Sequence, residues 1–306
     1  FYRERTFNYP QAVDGLRQAL WGLFKKVVIA DNAARYVNVI FSNYFEFSGL
    51  VLSVGTFLFA FQIYCDFSGY SDIAIGTARL FGFRLTRNFN YPYFSRDIAE
   101  FWRRWHITLT KWFKDYVYIP LGGNRGGISA KIRNTLVVFI LSGFWHGANW
   151  KFIFWGFINA VCFLPLLISG RNRVNLGPVS SGKIIPGIKE FSGILGTFLF
   201  TLIAWVFFRA EDIVHAFKYL GKMLYFKNFI DLSPSPILSY KKVAFLIIVI
   251  FIFVIIEWLQ RDKAHALEIE TYKLSRFLKW SIYSSLIFLT GMFARVQTTP
   301  FIYFQF

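Results

Sequence analysis

Apolar residues in this chain run in long, nearly unbroken blocks rather than in the stripes of soluble amphipathic helices. Val243 to Leu259, Phe191 to Phe208 and Phe277 to Phe293 are the clearest, with two more blocks flanking His146. At about 1.5 Å per residue, each is long enough to cross a hydrocarbon layer of roughly 30 Å. Gly49 to Phe83 is too long for one upright span, so two helices, or one broken near Asp66 to Tyr70, fit it better. Asn134 to Ser169 is also too long, and Gly143, Gly147 and Asn149 mark where it should break. Gln11 to Tyr44 is helical in pattern but carries Lys25, Lys26, Asp31 and Arg35, which suits a short span or an interfacial helix. The pattern predicts an all-α polytopic bundle of about six to eight membrane-embedded helices.

One segment behaves differently. On a wheel of about 100° per residue, Phe101, Trp102, Trp105, Leu109, Trp112, Phe113 and Tyr116 share one arc. Arg103, Arg104, Lys111, Lys114 and Asp115 take the other. This predicts an amphipathic or re-entrant helix at about 98–119, with His106 on the inward arc.

Composition supports the membrane assignment. Of 306 residues, 55% are hydrophobic and only 17% charged, and 39 are phenylalanine, which excludes an ordinary soluble domain. The net charge of +17 would suggest nucleic acid in a soluble protein. Here the basic residues fall mostly between apolar runs, at Lys25 and Lys26, Arg103 and Arg104, Arg125 to Arg133, and Lys241 and Lys242. They read as loops that touch anionic headgroups, so the partner is the lipid bilayer and not nucleic acid. Cys65 and Cys162 lie in apolar runs as small hydrophobes and form no metal pattern. The chain opens at Phe1 on a polar stretch and reads as the C-terminal portion of a longer chain.

Few polar groups interrupt the apolar runs, and each needs a reason, because buried polar groups in hydrocarbon line bundle interiors or wet paths. His146 sits at the expected helix break in SGFWHGANW, where irregular backbone is tolerated only against protein or a cavity. An imidazole there suits removal of a proton from a hydroxyl. His106 is the second candidate, and Asp66 and Asp72 read as structural, paired with nearby Arg, Tyr or Ser groups. His215 and His265 sit in charged stretches that read as solvated faces. GGNRGG at 122–127 lacks the ending of a phosphate-binding Walker loop and reads as a flexible loop.

DFSGYSDIAIG (66–76), NFNYPYFSRDIAEFWRRWHITLTKWFKDYVYIPLGGNR (88–125) and SGFWHGANW (142–150) resemble the membrane-bound O-acyltransferases. The nearest branch is that of the alginate O-acetyltransferase AlgI, which GLFKKVVIAD (22–31) and FIYFQF (301–306) also resemble. The resemblance implies a single family-type membrane domain over 1–306, lacking the further N-terminal spans of the family. It also implies that His146 matches the invariant family histidine and His106 a second conserved polar position, where a cytoplasmic funnel meets an outward tunnel. Asp66, Trp105 and Asn149 fall in matching motifs as supporting residues, and no metal is implied.

The expected activity is transfer of an acyl group, acetyl above all, from a thioester donor such as acetyl-CoA, with no bound cofactor. The acceptor is a hydroxyl of an exported alginate-like polysaccharide, reached with extracytoplasmic partner proteins from a multi-pass position in the cytoplasmic membrane. Peptidoglycan or teichoic-acid (D-alanyl) acylation is the alternative within the family. A transporter or channel with a histidine-lined path is the alternative outside it, disfavoured because no internal repeat is visible.

Overall fold

The computed structural model describes residues 6–225, 229–232, 235–269 and 274–294. The closing FIYFQF stretch and parts of the 222–242 loop lie outside the described residues. Every regular element among the described residues is helical. In order they are α1 (Tyr9–Phe24), α2 (Asp31–Ser42), α3 (Gly49–Leu80), α4 (Ile98–Arg104), α5 (Ile107–Phe113) and α6 (Gly127–Trp145). Then follow α7 (Trp150–Ile168), α8 (Ile188–Arg209), α9 (Ile213–Met223), α10 (Tyr240–Leu259) and α11 (Arg276–Phe293). Five of these, α3, α6, α7, α8 and α10, are long and apolar enough to cross a membrane. The protein is therefore a polytopic helical membrane protein. That number is below the expected six to eight, and α11, which opens on Arg276 and holds Lys279, is not in the set.

Contacts gather the described residues into two compact units. Those within 1–36, 61–88 and 238–305 form the first, and those within 37–60 and 89–237 form the second.

Within the first unit, the expected break near Asp66 to Tyr70 does not occur, because α3 is one helix of 32 residues. Its glycines admit a neighbour instead. A Cβ on Gly22 of α1 would lie 2.5 Å from the Gly69 carbonyl oxygen, so the two backbones touch. Between α1 and α2 a π turn over Lys25–Ala30 resets the helix phase. Lys25, expected at the headgroups, is instead 3% exposed. Its Nζ lies 2.5 Å from Asp72 and 4.0 Å from Glu257 of α10, and it donates to Ser68 Oγ at 3.1 Å. Tyr64 Oη lies 2.8 Å from one Glu257 oxygen and 3.0 Å from the other. Lys26 bridges Asp66 at 2.6 Å and Asp31 at 2.8 Å. Asp66 and Asp72 thus both sit in ion pairs, with lysines on α1's continuation where Arg, Tyr or Ser partners were expected.

His265 also departs from expectation. It is 2% exposed, not solvated, and its Nε2 lies 3.0 Å from Asp14, which in turn pairs with Arg79.

The second unit is built on an antiparallel hairpin, α6 and α7, against which α8 and α4 pack. Its core is aromatic. Trp155 stacks on Trp205 at 5.9 Å, and Trp105 meets Trp205 at 5.0 Å. Trp102 meets Trp155 at 5.6 Å and Phe139 at 5.4 Å, which continues the layer from α4 through α7 to α6. His215 of α9 belongs to this unit as well, stacked on Tyr44 at 4.8 Å rather than facing solvent.

Candidate active site

The amphipathic segment is not one continuous helix. α4 closes at Arg104, Trp105 is extended, and His106 takes a left-handed conformation (φ 42°, ψ 55°) from which α5 starts. A non-glycine residue in that region costs about 1–2 kcal/mol, so neighbouring contacts must hold it. Arg104 supplies them. Its carbonyl accepts the Asn90 N–H at 2.9 Å, and its guanidinium donates to the Asn90 carbonyl at 3.1 Å. The same guanidinium pairs with Glu100 at 2.8 Å, and Glu100 also pairs with Arg96 at 2.9 Å. Arg103 donates to the carbonyls of Asn172 and Asn175, at 2.7 and 3.0 Å. Both arginines are engaged within the protein, where the charge pattern had suggested headgroup contacts.

The break also shifts the phase of the wheel. Trp112 and Tyr116, assigned to the inward arc, are exposed. His106, Leu109, Thr110 and Phe113 form the inward face of α5, at the i, i+3, i+4, i+7 spacing of one helical face.

The break at His146 occurs where the glycines and Asn149 placed it. α6 ends at Trp145 and α7 starts at Trp150. Asn149 caps α7, its Oδ1 accepting the Lys151 N–H at 3.1 Å. Gly143, and Gly156 facing α6 from α7, act by close approach. A Cβ on Gly143 would strike the Phe152 carbonyl, and one on Gly156 would strike the Phe139 carbonyl. His146 therefore sits at the tip of a hairpin whose backbones are in contact. Around its ring stand Trp145 at 4.9 Å, Phe208 at 4.9 Å, Trp155 at 5.3 Å and Phe152 at 6.3 Å. Lys151 donates to the Ala210 carbonyl at 2.5 Å, which ties the start of α7 to the end of α8 and holds Phe208 in this cage.

His106 and His146 line the same cavity, of about 60 Å³. Val138, Phe139 and Ser142 complete the wall on the side of α6, and Trp102 and Trp105 on the side of α4. Trp105 is thus a wall residue, Asn149 is a helix cap outside the lining, and Asp66 belongs to the ion pairs of the first unit. Enclosure by apolar rings disfavours the imidazolium form. It pushes His106 down to about 4 and His146 down to about 3, the latter helped by repulsion from His106. Both imidazoles are neutral at physiological pH. Sequence reading missed Val138, Ser142, Phe208 and Lys151. The first two were legible in principle, since positions 138, 142 and 146 recur at i+4.

The membrane-bound O-acyltransferase family model matches residues 16–208. The chain belongs to this family. It is 42% identical over 217 residues to a peptidoglycan O-acetyltransferase of Helicobacter pylori, covering 71% of this chain and 40% of that protein. It is 38% identical over 240 residues to a probable alginate O-acetylase AlgI of Azotobacter vinelandii, covering 78% of this chain and 46% of the relative. A teichoic acid D-alanyltransferase of Streptococcus thermophilus is 29% identical over 171 residues, 50% of this chain and 40% of that family member. The chain thus spans less than half the length of these relatives. The matched region contains both histidines of the cavity.

Proposed function

We propose that this chain is the catalytic portion of an O-acyltransferase that moves an acetyl group from a thioester donor, acetyl-CoA, to a hydroxyl of an exported polysaccharide. The observation that carries this reading is the pair of neutral imidazoles, His106 and His146, on one small apolar cavity. A neutral imidazole accepts a proton, and His146 at the hairpin tip is the general base. It takes the proton of the acceptor hydroxyl as that oxygen attacks the thioester carbonyl. The new C–O bond forms, the C–S bond breaks, and the imidazolium returns its proton to the departing thiolate. His106, with its left-handed backbone held by Arg104 and Asn90, orients the carbonyl and polarises it through a ring N–H.

Alginate-like polymers are the first acceptor class, in line with the AlgI relatives. Peptidoglycan is the second, favoured by the relative with 42% identity. The site sits in the cytoplasmic membrane and works with extracytoplasmic proteins that complete delivery to the polymer.

The test is acetyl-CoA consumption and polymer acetylation by full-length protein, with its partners, carrying His146→Ala. Loss of transfer at unchanged protein level supports the reading. A well-folded His146→Ala variant that acetylates like wild type would make the histidine a packing residue and sink it.

A further inference from the structure

One seam of the first unit stands open. α11 packs on α1, and both α10 and α11 pack on the π turn that follows α1, rather than on each other. Between them lies an open cleft of about 470 Å³. Its floor is Trp21 of α1, 1% exposed and stacked on Phe253 of α10 at 5.6 Å. Ile256 and Leu259 line it from α10, and Ile282 and Leu286 from α11. Ser281 and Ser285 of α11 also face it, small side chains at positions where larger ones would fill the seam. The 264–269 segment, held to α1 by His265 on Asp14, adds Leu267 and Ile269 to the wall. α10 is apolar enough to cross a membrane, and α11 turns Phe277, Trp280, Phe288 and Met292 outward. A cleft with these walls opens to hydrocarbon, and a chain of methylenes laid in it makes the dispersion contacts that an empty seam forfeits.

Charge collects where α10 ends and α11 begins. Arg261 and Lys263 follow α10, and Arg276 and Lys279 open α11. Over 261–269 and 274–279 these four cations stand against two carboxylates, Asp262 and Glu268, and Glu268 already accepts the Ala264 N–H at 2.8 Å. Gln260, 7% exposed, lines the cleft at the same end, and its Oε1 accepts no hydrogen bond, which leaves a buried acceptor for a hydroxyl donor. An apolar trough that ends in cations has the polarity of an anionic lipid laid along it. We propose that the cleft binds one anionic glycerophospholipid of the surrounding bilayer, phosphatidylglycerol in its chemistry. An acyl chain lies between α10 and α11, and the phosphate meets Lys263 and Arg276. The site lies in the first unit and involves neither cavity histidine, so it stands or falls apart from the acyltransferase reading.

The experiment takes full-length protein, stripped of lipid in mild detergent, and adds phosphatidylglycerol or phosphatidylcholine with the same acyl chains. Native mass spectrometry reads what each chain retains, and thermal unfolding reads what retention is worth. Wild type should keep one phosphatidylglycerol after looser lipids are removed, and should be stabilised by it at lower concentration than by phosphatidylcholine. Lys263→Gln with Arg276→Gln should weaken phosphatidylglycerol binding by about fivefold for each cation removed and leave phosphatidylcholine unchanged. Ser281→Phe with Ser285→Phe fills the trough and should abolish retention of either lipid. If the filled protein does not fold, the charge variant, altered only at the rim, decides. Equal retention of the two lipids by wild type overturns the anionic site. So does wild-type preference in the charge variant, and a folded filled variant that still keeps phosphatidylglycerol overturns the cleft as its place.

Discussion

The two units place polar groups in apolar surroundings by opposite means. In the first, Lys25 faces Asp72 and Glu257, and Lys26 faces Asp66 and Asp31, all at ion-pair distances, so each buried charge is met by an opposite one. In the second, His106 and His146 face a cavity walled by aromatic and aliphatic side chains, and the resting rings carry no charge at neutral pH. Groups paired with one another in this way offer little to a reactant, since their charges already face partners at close range. A neutral ring beside a cavity presents no charge that an entering group would have to compensate. The contrast separates the ion-paired residues from the two histidines to which we assign the chemistry, although both look alike as interruptions of a hydropathy plot.

Substitutions can break this contrast in order of expected effect. His146→Ala should lower acyl transfer by about 10²- to 10⁴-fold, the worth of a general base, with thermal stability in detergent near wild type. Lys25→Met should do the reverse. It leaves Asp72 and Glu257 uncompensated, at a cost of about 3–5 kcal/mol for a broken buried pair, and should appear as loss of folded protein. The double variant Lys25→Met with Asp72→Leu should recover part of that loss. If Lys25→Met folds normally and fails only in turnover, the cluster is part of the chemistry and the contrast is wrong.

A pH profile sharpens the same point. Protonated imidazole cannot accept the hydroxyl proton, so activity must fall on the acid side. With His106 pushed down to about 4 and His146 to about 3, the fall should come well below the ordinary imidazole value of about 6.5. An acid limb centred near 6.5 instead would mean that the aromatic cage does not exclude the charged form.

The smallest effect concerns the backbone at position 106. His106→Gly removes the left-handed strain and should raise stability by about 1 kcal/mol relative to His106→Ala. Both should lose activity, because the ring is gone from either. Equal stability of the two variants would show that the φ of 42° is not retained without the imidazole.

Much of this was legible beforehand, and the misses have physical causes. The spans show in hydropathy, and the turn at His146 shows because glycine and asparagine mark it. The break at Trp105 and His106 carries no such mark. Both are acceptable helix residues, and the break is imposed by Arg104 gripping Asn90, a contact between segments that no wheel contains. The error at Trp112 and Tyr116 follows, since a phase measured across a break is wrong beyond it. Lys25 was misplaced for a related reason, because a π turn shifts the helix face without any sequence signal. The break expected near Asp66 to Tyr70 rested on length alone, and Gly69 in that stretch is instead a point of contact with α1.

The glycine contacts of the α6–α7 hairpin restrict how this protein can change over generations. At positions 143 and 156 the obstacle to any side chain is a main-chain carbonyl, not a neighbouring side chain. A larger residue at one position therefore cannot be offset by a smaller one at the other, as it could in an ordinary core. The usual stepwise route of compensating replacements is closed here. Gly143→Ala and Gly156→Ala should each be rejected singly and also together, since the pair lies on the same register and both steps push the helices apart. The imidazole at the hairpin tip inherits a fixed address from two residues that have no side chains at all.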